Sequence, residues 1–255
     1  HCCAGKETCA AKTLTCVKWT VWAILAAFSL YFVIINAGAT YQQDVVRAKL
    51  PAVKEILYKE MNYIEVCAYD GDGTTGSLNE TSNITTFQSK DAAHEAGFLI
   101  LHCGPCAACS TWPNIKYEYT TRNFLADASA ACGRMSLFGG PEAVHECLMS
   151  EPINWDYDCG WCWQIDIQCS KSYCAFNFLQ STMINTMTNF AVGMDEVTAA
   201  SCEEANCEAF PYPENFVECS GATRRRMNVT SSIARPKDEE CANVDVDWAI
   251  LFPGE

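Results

Sequence analysis

Basic residues are scarce in this chain. Seventeen Lys and Arg stand against 31 Asp and Glu, for a formal net charge of -14. A nucleic-acid-binding protein needs a basic face to neutralise phosphates, so nucleic acid is not expected as a partner. Histidine is scarcer still, at four residues. His94, His102 and His145 fall in no ligand motif, and each is expected to be an ordinary satisfied side chain. The chain has no G-x-S-x-G elbow, no H-E-x-x-H helix and no phosphate-cradling glycine loop. Carboxylates such as Asp156, Asp158, Asp166, Glu203 and Glu204 are plentiful, but no pair stands out as a general acid and base. Clear period-two alternation is also sparse, which argues against a sheet-based fold. No repeat of fixed period occurs. Nothing in the sequence calls for a cofactor or a metal.

Cysteine is abundant: 18 in 255 residues. Four of them (Cys2, Cys3, Cys9 and Cys16) precede a long hydrophobic stretch. The other fourteen follow it: Cys67, Cys103, Cys106, Cys109, Cys132, Cys147, Cys159, Cys162, Cys169, Cys174, Cys202, Cys207, Cys219 and Cys241. An even number of cysteines in a segment that also carries glycosylation sequons reads as a disulfide framework made in an oxidising compartment. The pairing cannot be read from the spacing. The sequons are at Asn79, Asn83 and Asn228, all beyond the hydrophobic stretch.

That stretch, Trp19–Ala37, contains no charged residue. As a helix it would be about 28 Å long, close to one bilayer core. Lys6, Lys12 and Lys18 precede it, a bias that places the N-terminus in the cytoplasm and the remainder outside. Cys9 and Cys16 are then juxtamembrane and open to palmitoylation, to staying reduced, or to bridging if they lie in an oxidising space. The chain opens on His1, which reads as a processed or partial chain. Ala37-Gly38-Ala39 looks like a signal-peptidase site, but the apolar core exceeds the usual signal length. A retained signal-anchor is the expectation.

Four regions follow. Residues 1–16 are a short cysteine-bearing tail, and 17–39 a transmembrane-type helix. Residues 40–66 form an amphipathic helical stalk, and 67–255 a cysteine-rich glycosylated ectodomain. On the stalk Val46, Leu50, Val53, Leu57, Met61 and Ile64 form an apolar stripe of near-heptad rhythm, suited to packing on the chain's own head or on copies of itself. Pro51 is expected to kink it. Residues 68–92 read as a polar loop. Phe98–Leu101 reads as a strand or buried connection. Helical spacing returns over 117–138 and stops at Gly139-Gly140. Pro141 opens a second helix, and a third lies near 158–187 with Cys159, Cys162, Asp166 and Cys169 on one face. The fold class is mainly α: a long hydrophobic N-terminal helix with a disulfide-stapled, mostly helical head.

Two cysteine motifs carry alternative chemistry. Cys103-Gly-Pro-Cys106 has the spacing of a thioredoxin-type redox pair, in which a neighbouring thiol and a helix start favour a reactive thiolate. Cys103, Cys106 and Cys109 with Cys159 and Cys162 have the residue types of a zinc site, at long separation. Arg224-Arg225-Arg226 is the only basic cluster of the head, suited either to an anion or to intramolecular ion pairs.

The segments His102-Cys-Gly-Pro-Cys-Ala-Ala-Cys-Ser110, Cys159-Gly-Trp-Cys-Trp163, Cys219-Ser-Gly-Ala-Thr-Arg-Arg-Arg226 and Val244-Asp-Val-Asp-Trp248, with Gly139-Gly140, resemble an uncharacterised family of predicted proteins from microbial eukaryotes. The resemblance covers roughly residues 98–250. It implies a cysteine-rich head on a membrane-anchored chain and transfers no activity and no catalytic residue.

The function expected on these grounds is a structural glycoprotein of the cell surface or extracellular space. It would reach that site by the secretory pathway, and be anchored or self-assembled through its hydrophobic helix, as a fibre subunit in the second case. The alternatives are a thiol-disulfide oxidoreductase using Cys103 and Cys106, and a surface adhesion or receptor head. The partners expected are membrane lipid at Trp19–Ala37, further copies of the chain, and N-linked glycans. No enzyme activity is expected outside the redox alternative.

Overall fold

A computed structural model describes residues 6–61, 64–71, 78–188, 202–208, 216–231 and 240–254. One helix dominates it. Helix α1, Lys6–Met61, runs 56 residues without interruption and joins the expected transmembrane-type helix to the expected stalk. Pro51 lies inside it and does not end it. The helical stalk stops earlier than expected: Ile64 lies beyond the helix and is exposed, and Val66 already belongs to a strand.

The head opens with a small sheet, of which the third strand matches the expected strand or buried connection at Phe98–Leu101, while the second lies within the expected polar loop and the first ends at its edge. Strands β1 (Val66–Tyr69), β2 (Ile84–Phe87) and β3 (Leu99–Cys103) form an antiparallel sheet of order β2-β1-β3. Val66 pairs with Phe87 on one side and Cys103 on the other, with an irregularity between Cys67 and Ala68. All four β1 residues are buried, so this strand lacks the alternation that would reveal it in sequence. Helix α2 (Lys90–Glu95) is capped by Ser89, whose hydroxyl accepts from the Ala92 amide.

The helical part follows. Helix α3 spans Trp112–Thr120, with Pro113 in its first turn, where the missing N–H costs nothing. Helix α4 spans Leu125–Leu148 and breaks internally at Gly140, whose φ of 73° suits only glycine without strain. This is the predicted stop and restart at Gly139-Gly140-Pro141. Helix α5 spans Tyr157–Thr188. Asp156 starts it: one carboxylate oxygen accepts from the Cys159 amide at 2.9 Å and the other from Asn114 at 2.7 Å. A π-helical turn at Glu204–Glu208 and two short helices, α6 (Phe216–Ser220) and α7 (Trp248–Leu251), complete the described elements.

Helix α5 is the spine of the head. The face predicted for Cys159, Cys162, Asp166 and Cys169 is buried throughout. Four of the seven bridges end on it: Cys109–Cys159, Cys162–Cys219, Cys169–Cys207 and Cys174–Cys202. Cys67–Cys106 ties down the sheet, Cys103–Cys241 closes a separation of 138 residues, and Cys132–Cys147 spans the break in α4. All fourteen cysteines from Cys67 to Cys241 are therefore paired. The main core between them is aromatic. Trp155 stacks on Trp163, Trp163 meets Phe216 edge-on, and Tyr119 stacks on Trp248 and Phe252. The Trp248 indole N–H donates to the Met227 carbonyl at 2.8 Å, so this polar tip is satisfied inside the core.

Candidate functional site: the exposed half of helix α1

Helix α1 has two halves in different surroundings. From Ile35 onward it lies against the head. Val46 and Val53 are buried with Cys174, Cys202 and Ala205, and Lys49 donates to Asn206 at 2.6 Å. The stalk stripe thus packs on its own domain at these two positions. Of Leu50, Leu57 and Met61 only the backbone is described. Gly38 permits the closest approach: a Cβ there would stand 2.5 Å from the Phe176 ring of α5. Polar side chains join the same two helices. Gln180 donates to Asn36 at 2.8 Å, and Gln42 accepts from the Asn177 amide at 3.1 Å.

From Cys16 to Ile34 the helix has no cover. Trp19 is 70 % exposed, Ile24 62 % and Val33 61 %, against 2 % for Ile35. Among the described residues, Cys16–Lys49 is the stretch long and apolar enough to cross a membrane. Nine Val, Ile, Leu and Phe residues lie between Cys16 and Ile34. Their transfer into a bilayer is worth roughly 3–5 kcal/mol on the insertion scale. In water the same surface is a liability, far larger than the scattered apolar residues that soluble proteins tolerate. Thr20, Asn36 and Thr40 return their side-chain donors to carbonyls one turn back, so these polar groups are satisfied within the helix. Cys16, at the start of the exposed half, is a free and exposed thiol. Cys2 and Cys3 lie outside the described residues, and of Cys9 only the backbone is described.

The other predicted sites resolve as follows. Cys103 and Cys106 do not face each other as a redox pair. Cys103 is bridged to Cys241 and Cys106 to Cys67, so neither offers a thiolate to a substrate. The zinc grouping is overturned for the same reason, because Cys103, Cys106, Cys109, Cys159 and Cys162 all spend their sulfurs in separate bridges. Among the described residues no cluster of His, Cys, Asp and Glu has the geometry to hold a metal ion. The arginine cluster points inward. Arg224 pairs with Glu118 at 3.9 Å and Arg225 with Glu208 at 3.6 Å; Arg226 is fully buried and donates to the Val217 carbonyl at 3.2 Å. The three described histidines are satisfied. His94 pairs with Asp245, His145 donates to the Tyr157 carbonyl, and His102 donates from Nδ1 to the Cys103 carbonyl while Nε2 accepts from Ser110. Burial, with Arg226 adding repulsion, holds the His102 pKa down to about 3 against the hydrogen bond to Cys103. The ring is neutral at physiological pH.

Two buried acids, Glu118 and Asp166, carry shifts that the sequence does not announce, although Asp166 is placed there on the cysteine face of α5. Glu118 has a pKa raised to about 7 by burial, only partly countered by Arg224. Asp166 is pushed well above the usual carboxylate range by burial, by repulsion from Glu203 and Glu208, and by a hydrogen bond with Glu203. Both lie in a closed interior that offers no approach for a substrate. Their spacing in sequence carries no signal, since each becomes unusual only when the bridges close around it. Asn79, Asn83 and Asn228 are all exposed. At Asn79 the side-chain oxygen accepts from both the Thr81 amide and the Thr81 hydroxyl, a turn that presents this sequon on the surface.

The molecule is therefore a mainly α, disulfide-stapled head carried on an uncovered apolar helix. Residues 141–243 match a family of unknown function (DUF8771). The matched region contains nine of the fourteen head cysteines, the whole of α5 and both ends of three of the four bridges on it. No curated protein and no solved structure matches the chain.

Proposed function

We propose that this chain is a structural glycoprotein of the cell surface, held in a membrane by the exposed half of α1. The single observation behind this reading is an abrupt change of environment along one helix. Its uncharged stretch from Trp19 to Ile34 is uncovered for close to one bilayer thickness, and its second half is built into a head closed by seven bridges. The lysines ahead of the span face the cytoplasm, and the bridged head faces the oxidising side. Asn79, Asn83 and Asn228 then lie on the glycosylated side, all exposed.

The test is synthesis of the full chain in the presence of microsomes. The reading predicts a product that resists alkaline carbonate extraction, carries three glycosidase-sensitive glycans, and has a head protected from added protease. Release into the carbonate supernatant would contradict the anchor, and an unglycosylated, protease-sensitive head would contradict the topology. A detergent-free, lipid-free, high-mass polymer would assign the exposed helix to a filament core instead.

A further inference from the structure

The head sends a second helix toward the same end of the molecule as the exposed span. Helix α5 runs antiparallel to α1. Cys174 lies near Val46, Asn177 at Gln42 and Gln180 at Asn36, so rising numbers on α5 meet falling numbers on α1. The helix does not stop at Gln180, where α1 leaves the head. It continues through Thr188. Eight more residues at about 1.5 Å each carry it roughly 12 Å beyond that point, toward the side of the uncovered half, whose residues from Cys16 to Ile34 it leaves exposed.

Sequence and surface on this stretch match that position. No Asp, Glu, Lys or Arg occurs between Lys171 and Asp195, the longest such run in the chain after Trp19–Gln43. Residues 181–188 mix Met183, Ile184 and Met187 with small or amide residues (Ser181, Thr182, Asn185, Thr186, Thr188). That composition suits the boundary between headgroups and hydrocarbon better than either water or a bilayer centre. Leu179, just before it, is 43 % exposed. On α1, Trp19 and the exposed Tyr41 are separated by 22 residues, or about 33 Å of helix. That is the separation expected of aromatic residues sitting at the two faces of a bilayer. With Tyr41 at the head-side face, Gln180, which accepts from Gln43 and donates to Asn36, lies at that face, and the residues after it on α5 lie below it. The contacts holding the helices together there are the ones hydrocarbon demands: a small residue at the closest approach, Gly38, and side-chain amides that satisfy one another, Asn36 with Gln180.

We infer that the C-terminal end of α5, residues 179–188, enters the head-side leaflet beside α1. The anchor is then a two-helix device in which α1 crosses the bilayer and α5 dips part of the way in. The partner is the lipid bilayer itself. Such a wedge fixes the tilt and rotation of the head on the membrane surface, which a single span leaves free. This inference rests on the anchor reading above, and its test separates the two.

The experiment uses the full chain with Cys2, Cys3, Cys9 and Cys16 replaced by Ser, reconstituted in vesicles of phosphatidylcholine and phosphatidylglycerol. Nitroxide labels are placed singly at Ala26→Cys in the span, at Thr186→Cys and Ser181→Cys on α5, and at Glu146→Cys on the exposed head surface. Collision with oxygen, which concentrates in lipid, is compared with collision with a water-soluble nickel chelate. The expected oxygen-to-nickel ratio is highest at position 26, several-fold above position 146 at position 186, and intermediate at position 181. If position 26 reads as lipid and 186 matches 146, the second helix stays in water and the inference fails while the anchor stands. If position 186 is shielded from both reagents, it is buried in protein and the inference fails as well. If position 26 itself reads as water, the anchor reading fails and the inference with it.

Discussion

The two halves of α1 have similar side chains and opposite solutions for burying them. Val46 and Val53 are about 1 % exposed because α5 and the Cys174–Cys202 bridge cover them; Val21 and Val33, in the same helix, are 49 % and 61 % exposed. Helical propensity and apolar character do not distinguish these valines. What differs is the residues between them. Asp44, Arg47 and Lys49 put a polar face on the second half, whereas the first has none between Trp19 and Gln43. An amphipathic helix can be completed by its own protein, but a helix apolar on every side needs an apolar solvent or several partners. The contrast shows where the folded head ends and a different environment begins.

Four changes would break or sharpen that contrast. The largest effect is expected in the head. Replacing Cys103 and Cys241 together by Ala removes the bridge of widest sequence separation, 138 residues; with Cys109–Cys159 and Cys162–Cys219 intact the loop it closes is shorter, and the loss should cost about 4 kcal/mol of head stability. Loss of the near-ultraviolet circular dichroism melt at a much lower temperature would report it, while membrane association, carried by the other half of α1, should not change. Next comes Leu25→Lys, which places a charge at the middle of the uncovered half. It should remove about 3–4 kcal/mol of insertion free energy, enough to cancel most of the favourable transfer. Carbonate extraction should then release the chain, with the head melting as before. A change at the junction should be smaller. Gly38→Val drives a side chain into the Phe176 ring and should destabilise the packing of α1 on α5 by about 1–3 kcal/mol, read as a lower melting temperature with insertion retained.

The smallest effect is a pH dependence confined to the head. Glu118 has a folded pKa raised to about 7, above its unfolded value of about 4.3. Between those values the folded state binds the extra proton, so this group lowers stability as pH rises from about 4.5 to 7. His102, held down to about 3, acts with the opposite sign and raises stability as pH rises from about 3 to 6.5. The two offset each other in the wild type over their shared window. Glu118→Gln removes one of them. Its stability relative to the wild type should therefore increase steadily from pH 4.5 to 7, by on the order of 1 kcal/mol or more. A constant difference across that range, measured by denaturant melts, would mean that Glu118 does not titrate there.

Much of the helical architecture was legible in sequence, for identifiable reasons. Gly139-Gly140-Pro141 marks a break because only glycine takes the required φ at position 140. The run from Tyr157 to Cys169 reads as a helix because its cysteines recur on one face, and each is drawn to a bridge on that side. Of the sheet only β3 was legible, as the short apolar run at Phe98–Leu101. Strand β1 is four residues long and buried on both faces, and β2 follows a sequon in a polar stretch. Neither offers the alternation that betrays a strand. The redox and zinc readings failed because spacing in sequence says which cysteines are near each other along the chain and nothing about partners 39 or 138 residues away. The exposed half of α1 was legible as an apolar helix, but its two-sided setting was not. That needed the three-dimensional register of Gly38 and Asn36 against α5.

The most direct test of the proposed membrane span is the environment of Trp19 and Trp22. The full chain and a Trp19→Phe, Trp22→Phe variant are reconstituted in vesicles whose acyl chains carry bromine, and the fluorescence difference isolates these two indoles from the five in the head. The account predicts that this component is strongly quenched by bromine in the acyl chains, while the emission of the variant is little affected. A Trp19 and Trp22 component untouched by bromine, in a chain that sediments as a large lipid-free assembly, would contradict it.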